Sequence, residues 1–361
     1  MQDAPFDASA AATRDSLDAD LVTVVIPARN EEDFIGPCLE SILAQDEQNL
    51  QVLVVDGCST DQTVEIVLEY SRGDPRVELL VNEAVIIPTA LNLALTAARG
   101  TWLVRVDAHA TVPPDYVSRA VAHLRTGRWG AVGGRKDGVG VTAAGRAIAA
   151  AMGSRFGVGG SVYHYGTDTR IVDHVPFGAY PTALAREIGG WDERLAVNQD
   201  FEFDRRLHEH GNTILFDPAL RIDWHCRQSV RALFRQYHRY GSGKLAVMRL
   251  HPRSTRLRHF APPALVAASA VALALVPWRS RLVLLVIVPY AVAVAAASAV
   301  AGRQLDDRAA KALLPPAFFA MHLGWGLGFW RGVVRVVGNR YGFGVPPCAE
   351  GTDPRRARSR P

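Results

Sequence analysis

The stretch "LVRVDAHA", residues 103–110, begins as an alternating strand and ends in polar chemistry. The apolar run stops where Asp107 and His109 appear, two residues apart. In an extended segment, residues two apart project to the same side. A carboxylate and an imidazole are therefore presented together, a donor pair that suits Mn²⁺ or Mg²⁺ held beside a diphosphate. Taken alone, the same spacing also fits a surface turn with a hydrogen-bonded Asp and a solvated His.

Working towards the N-terminus, strand "TWLVRVD" (101–107) follows a helix, "PTALNLALTAARG" (88–100), with Pro near its start and Gly just past its end. Before it come strand "RVELLVN" (76–82), helix "TDQTVEIVLEYSR" (60–72) and strand "LQVLVVD" (50–56). Helix "EEDFIGPCLESILAQ" (31–45) carries Phe34, Ile35, Leu39, Ile42 and Leu43 at helical spacing, and strand "LVTVVIP" (21–27) opens the series. Strand and helix alternate with short connections, which predicts an α/β class with a mostly parallel sheet. Ligands bind at the carboxyl ends of the strands in such sheets. Residues 29–32, 56–61 and 107–109 are then expected to meet at one edge.

Towards the C-terminus the pattern loosens. "PPDYVSRAVAHLRTG" (113–127), "ALAREIGGWDERL" (183–195) and "DFEFDRRLHEHG" (200–211) read as helical. "WGAVGGRKDGVG" (129–140) reads as strand and turn, and "TILFDP" (213–218) as a short strand. "GVGVTA" (138–143) matches a loose dinucleotide fingerprint but is read as chance, since no strand–turn–helix unit is evident around it.

The last third differs in composition. Residues 261–278, 282–301 and 312–330 contain no Asp, Glu, Lys or Arg and approach the roughly 20 residues that cross a bilayer as a helix. The third holds Pro315, Pro316, His322 and several glycines, so a re-entrant or interfacial course is also open to it. Two or three membrane helices are expected. No acidic residue occurs between Asp223 and Asp306, while arginines from Arg227 to Arg258 precede the apolar region. Such a basic collar suits the anionic cytoplasmic leaflet better than nucleic acid. Arg227, Arg231, Arg235 and Arg239 recur every four residues, one face of a helix.

The chain of 361 residues divides by composition into a flexible tail (1–20), a catalytic domain (21–250), a membrane region (251–340) and a basic tail (341–361). The N-terminus shows no cleavable signal pattern. Cys38, Cys58, Cys226 and Cys348 lack metal or redox spacing and are expected to be reduced.

Several residues invite chemical roles. Asp56 ends a strand too early to cap the next helix, whereas Asp61 is placed to do so. Glu31 would favour a helix start, and Arg29 is free to balance a phosphate or a nearby acid. Asp200, Glu202 and Asp204 open a helix on which Asp200 and Asp204 share a face. One of them can take a proton from an attacking hydroxyl. His225 reads either as a partly buried histidine or as a third metal ligand with Asp107 and His109.

Together "VTVVIPARNEE", "VLVVDGCSTDQT", "VRVDAHA" and "QDFEFDRRL" resemble the family-2 glycosyltransferases of GT-A fold over residues 20–250. The "RVDAHA" and "RQYHRYGSGK" segments and the apolar end are most similar to membrane-bound bacterial exopolysaccharide transferases of the succinoglycan type. The resemblance implies inverting transfer from a nucleotide sugar, usually a uridine diphosphate sugar, with Mn²⁺ or Mg²⁺. By motif, Pro27, Ala28, Arg29, Glu31 and Asp56 would surround the nucleoside. Asp107 would meet ribose and metal, His109 would ligate the metal, and Asp200 would be the base. "FGAY" (177–180) would lie near the acceptor sugar. Two departures stand out: His109 replaces the second Asp of the metal motif, and Gln199 precedes Asp200 where Glu is common.

A lipid-linked saccharide acceptor would account for the membrane segments, with the catalytic domain on the cytoplasmic side of the inner membrane. No nucleic-acid partner is expected. Two other classes compete. A sugar nucleotidyltransferase would need a Gly-rich basic loop after the first strand, which "PARNEE" lacks. A non-catalytic membrane scaffold could bind the same nucleotide sugar without turnover.

Overall fold

A computed structural model describes residues 18–279 and 281–337. Residues 1–17 of the expected tail at 1–20, and the expected basic tail at 341–361, lie outside the described residues.

Strands β1 (Asp18–Ala28), β2 (Leu50–Asp56), β3 (Val77–Val81) and β4 (Gly100–Arg105) alternate with helices α1 (Ile35–Leu43), α2 (Thr63–Gly73) and α3 (Ile87–Ala97). β3, β2, β1 and β4 lie side by side and parallel, as the alternation predicts. β1 and β2 bury both faces, so they are rich in Val, Ile and Leu, and the two buried polar residues that interrupt them, Thr23 and Gln51, bond each other at 2.9 Å. One face packs under α1 through Ile35, Leu39 and Ile42; the other under α3 through Ala90, Leu91 and Ala94. Two boundaries differ from expectation. β1 starts at Asp18, inside the expected tail, and α1 starts at Ile35 rather than Glu31.

The second half mixes strand directions. It comprises β5 (Ala110–Thr111), α4 (Tyr116–Arg125), β6 (Ala131–Val139), α5 (Ala143–Met152), α6 (Arg155–Val158), β7 (Arg170–Val172), β8 (Ala179–Pro181), α7 (Thr182–Glu187), α8 (Gln199–Glu209) and β9 (Ile214–His225). β8 runs antiparallel between β4 and β6, β6 pairs parallel with β9, and β5 and β7 add antiparallel to β9. The parallel core thus continues as a mixed sheet. β9 is twelve residues long, so "TILFDP" is only its beginning. Pro218 and Asp217 sit at the register shift opposite Gly134/Arg135, and the strand resumes to His225.

"GVGVTA" does join a strand, β6, to a helix, α5, contrary to the sequence reading. Its N–H groups are nevertheless taken: Gln228 Oε1 accepts from Val141 and Thr142 at 2.9 and 3.2 Å. A Cβ at Gly140 would meet the Gly145 carbonyl carbon at 2.1 Å, so the glycines serve close packing.

α9 (Val230–Leu250) leads from the sheet to the apolar end, which holds α10 (Ala261–Ala274), α11 (Val276–Arg279), α12 (Arg281–Ala301), α13 (Arg308–Ala312) and α14 (Leu314–Val337). Three segments are long and apolar enough to cross a membrane: Leu257–Ala274, Val283–Gln304 and Arg308–Val336. The first two are 11% and 6% buried inside the protein, the third 50%. The difference arises at α9. A Cβ on Gly324, Gly328 or Gly332 would strike the carbonyl oxygens of Phe234, His238 and Ser242 at 2.9, 2.1 and 2.9 Å. The contacts advance four residues at a time on both helices, so α14 runs parallel to α9 with backbones nearly touching. Arg231, Arg235 and Arg239 occupy the exposed side of α9.

Cys38 and Cys226 are free and buried, whereas Cys58 is disulfide-bonded, against the expectation of reduced thiols.

Candidate active site

The loops at the carboxyl ends of β1 and β2 are knitted together. Asn30 and Glu31 donate their N–H groups to Ser59 Oγ and Thr63 Oγ1 at 2.9 and 2.8 Å. Thr60 N–H donates to Asn30 Oδ1 at 2.8 Å. Three consecutive strand ends carry a left-handed non-glycine residue: Asn30, Cys58 and Val85, at φ 53°, 59° and 67°. Such backbone costs of order 1–3 kcal/mol per residue and clusters at functional sites.

Asp56 is buried and accepts from Ser59 N–H and Oγ, at 3.1 and 2.5 Å. It therefore closes the turn after β2, a local role that the sequence reading set aside. Asp61 does not cap the next helix, whose N-cap is Gln62 without a side-chain bond; it lies one residue earlier, accepts from Thr63 N–H and Oγ1 at 3.1 and 2.6 Å, and ties in Glu32 N–H at 3.2 Å. Pro27 and Ala28 end β1, and Arg29 is exposed, without an ion pair among the described residues. Glu31 does not serve a helix terminus by its side chain; it bonds His109 Nδ1 at 3.0 Å.

His109 and His225 are neighbours. The His225 N–H donates to the His109 carbonyl at 3.0 Å, and β5 pairs Ala110 with Trp224. The His225 ring lies 4.7 Å from Phe34, and its Nδ1 is buried without a hydrogen-bond partner. Burial, then the neighbouring His109, push the His225 imidazole below its usual range, towards the neutral form that can ligate a metal. Glu31, Phe34, His109, His225, Cys226 and Arg227 line a cleft of about 330 Å³. Asp107 sits beside it and accepts from Arg105 Nε and Nη2 at 3.1 and 3.0 Å.

Arg105 connects this side to a second cluster. It is buried, it stands over Phe177 at 5.4 Å, and both Asp107 and Asp200 act on its charge. Lys136, from the middle of β6, is also buried, with its ammonium 3.5 Å from the Trp224 ring centre and 4.9 Å from Phe177. Burial pulls Lys136 down to about 8, against the pull of Asp107 and Asp200. Phe177 itself is left-handed, at φ 54°, within "FGAY". Neither Arg105 nor Lys136 was singled out from the sequence. The visible sign was a cation at an inward position of a buried strand.

Asp200 opens α8 and is partly buried. Burial alone would raise its carboxyl. The charges of His174 and Arg105, the Phe201 N–H at 2.9 Å and Lys136 together hold it below the usual carboxylate range. Its two neighbours are engaged elsewhere. Glu202 is buried and takes a two-point contact from Arg206, at 2.7 and 2.8 Å, plus His251 at 3.0 Å. Asp204 is fully buried, accepts from His174 Nδ1 at 2.7 Å and Val175 N–H at 3.0 Å, and leaves Oδ1 without a partner. Asp200 and Asp204 share a side of α8 while Glu202 faces away, as the helical spacing predicts.

The likeness to known proteins follows this geometry. Residues 23–186 match the family described as Glycosyl transferase family 2. The succinoglycan biosynthesis protein ExoA of Rhizobium meliloti (strain 1021) is 32% identical over 324 residues, spanning 88% of this chain and 96% of that protein.

The chain belongs to the family-2 glycosyltransferases.

This family-2 glycosyltransferase is also similar to a dolichyl N-acetyl-alpha-D-glucosaminyl phosphate 3-beta-D-2,3-diacetamido-2,3-dideoxy-beta-D-glucuronosyltransferase of Methanococcus voltae, at 26% identity over 63% of this chain and 74% of that one. Among solved structures, a mannosyltransferase from Pyrobaculum calidifontis in complex with GDP-Man and Mn²⁺ superposes with TM-score 0.53 at 22% identity, covering 90% of each chain. That likeness establishes the GT-A fold.

The residues fit a divalent ion by donor type, with the Asp107 carboxylate and the imidazoles of His109 and His225, the latter with its buried Nδ1 unpartnered. Among the described residues no three His, Cys, Asp or Glu side chains converge into a cage. An ion that completes its shell with substrate phosphates needs only one or two protein ligands.

Proposed function

We propose that this glycosyltransferase performs an inverting transfer from a uridine diphosphate sugar to a lipid-linked saccharide, in assembly of an exopolysaccharide or envelope glycan at the cytoplasmic face of the inner membrane. The observation that carries the reading is Asp200, a carboxylate at the start of α8 that the charges of His174, Arg105 and Lys136 keep ionised. An ionised carboxylate can act as general base towards a sugar hydroxyl.

In the reaction, the acceptor hydroxyl gives its proton to Asp200 as its oxygen attacks the anomeric carbon. The bond from that carbon to the diphosphate oxygen breaks, and the diphosphate leaves with the electron pair. One base suffices, because inversion in a single displacement needs no covalent intermediate. Pro27, Ala28, Arg29, Glu31 and Asp56 surround the nucleoside. Asp107 and His109 would hold Mn²⁺ or Mg²⁺, with His225 as the further donor beside them and substrate phosphates completing the shell. Such an ion, when bound, neutralises charge on the departing diphosphate.

The exposed apolar helices and the basic face of α9 support a membrane-bound acceptor. The names of the rhizobial and methanogen relatives, succinoglycan biosynthesis and transfer onto a dolichyl-linked sugar, point the same way. The deciding experiment incubates membranes containing the full chain with Mn²⁺, a panel of nucleotide sugars and lipid-linked saccharide extract. Metal-dependent nucleoside diphosphate release with label transfer to lipid from one donor is expected. Binding without release or transfer across all donors and acceptors would overturn the reading in favour of a scaffold.

A further inference from the structure

The chain uses arginine for nearly all its positive charge. Of 40 basic residues only Lys136, Lys244 and Lys311 are lysines. Lys311 is exposed, while Lys136 and Lys244 are buried with their ammonium groups against aromatic rings. Arginine forms fixed forks, whereas lysine offers a compact point charge on a flexible stem.

Lys136 has a specific setting. Trp224 and Phe177 flank its ammonium, and among the described residues it forms no ion pair. Asp107 and Asp200 lie near enough to act on it, yet neither closes to it, and Asp107 is already bonded to Arg105. Burying an ammonium without a counter-ion is costly. Ring contacts recover only part of that cost. A purely structural residue here would be apolar or paired.

We propose that Lys136 receives an anionic oxygen of the substrate at the point between Asp107 and Asp200. This rests on the transferase reading above. The shared chemistry is an oxyanion, with two sources in a nucleotide-sugar reaction: the outer phosphate of the donor, or the carboxylate of an acidic sugar. The cation held by Trp224 and Phe177 meets that oxygen where the leaving group and the attacking hydroxyl approach each other.

The test is calorimetric titration of the full-length protein in detergent with Mn²⁺. The probes are uridine and guanosine mono- and diphosphates, uridine diphosphate glucose and uridine diphosphate glucuronate. Lys136→Met and Lys136→Gln are compared with wild type, with thermal melts confirming folding. Loss of one charged hydrogen bond weakens binding about tenfold to a hundredfold. A loss of that size for the diphosphates but not the monophosphates assigns the oxyanion to the donor phosphate. A loss confined to the glucuronate donor assigns it to a sugar carboxylate. Unchanged binding of every probe overturns the inference alone. A wild type that binds no nucleotide overturns the transferase reading, and the inference falls with it.

An independent readout needs no variant. Amine acylation of the wild type, followed by mass spectrometry, should show Lys136 protected by the bound probe while exposed Lys311 is not. Equal labelling of Lys136 with and without a tightly bound probe would overturn the inference.

Discussion

His174 donates from Nδ1 to the Asp204 carboxylate at 2.7 Å, and the same imidazole is the foremost charge holding Asp200 ionised. Burial opposes the His174 charge; the bond to Asp204 and the charges of Asp204 and Asp200 outweigh it and raise its affinity for the proton. Its ring is fixed edge-on against Tyr163 and Phe201. A buried carboxylate thus orients an imidazolium towards the proposed base.

His174→Asn should therefore raise the Asp200 carboxyl. Arg105 and Lys136 remain as its cationic neighbours, with Tyr163, Tyr180 and Tyr240 around it. The acidic limb of the kcat–pH profile is expected to move to higher pH, with KM for donor little changed. The sign for stability follows from the same depressed value. The contribution of Asp200 is full above its unfolded value of 3.8 and is lost as pH falls through the lower folded value. An unmoved acidic limb would exclude His174 from this role.

Asp200→Asn should lower turnover by about 10²–10⁴-fold, the range for a general base, while nucleotide binding persists. Glu202→Ala should do the reverse. It strips a buried carboxylate from Arg206 and His251 and is expected to cost about 3–5 kcal/mol in unfolding measurements. The folded fraction should keep its kcat. Retained turnover in Asp200→Asn would end the assignment of the base.

His109→Ala is expected to raise the Mn²⁺ concentration for half-maximal turnover by about tenfold or more. The variant also frees Glu31, its partner at 3.0 Å. A metal titration of initial rate checks this, and coincident curves would remove His109 from the ligand set.

Gly328→Ala should cost about 1–3 kcal/mol by overpacking, because its Cβ would lie 2.1 Å from the His238 oxygen. Gly73→Ala, at the end of α2 with nothing within 4 Å, is the matched control. Thermal unfolding of both variants in the same detergent reads the difference, and equal midpoints would refute a tight seam.

The parallel half of the fold was legible because β1 and β2 are buried on both faces and announce themselves as Val/Ile/Leu runs. The second half was not. β9 shifts register near Pro218 and was legible only as far as that residue, and β8 is a three-residue strand fixed by its neighbours β4 and β6. In the site, single residues at strand ends were visible, but their partners were not. Asp107 read as a bare carboxylate, although Arg105 lies two residues away on the same side in the opening stretch. Lys136 looked like part of a Gly-rich turn, since nothing in "GGRKDG" reveals that Trp224 of β9 covers it. Pairings across β6, β8 and β9 are tertiary, and local pattern does not encode them.

The seam between α9 and α14 has a mechanical consequence. α9 has 21 residues, a rod of about 30 Å, and starts one strand end away from His225. α14 is clamped along it, and α10 leans on α14 at Gly326. If α10 and α12 cross the bilayer, the catalytic cleft is mounted on a stiff bracket rather than a leash. A leash would let the cleft sample many heights above the lipid; a bracket fixes one. The working distance then becomes a gauge, which accepts glycans whose reactive end stands at that height and passes over shorter or longer ones.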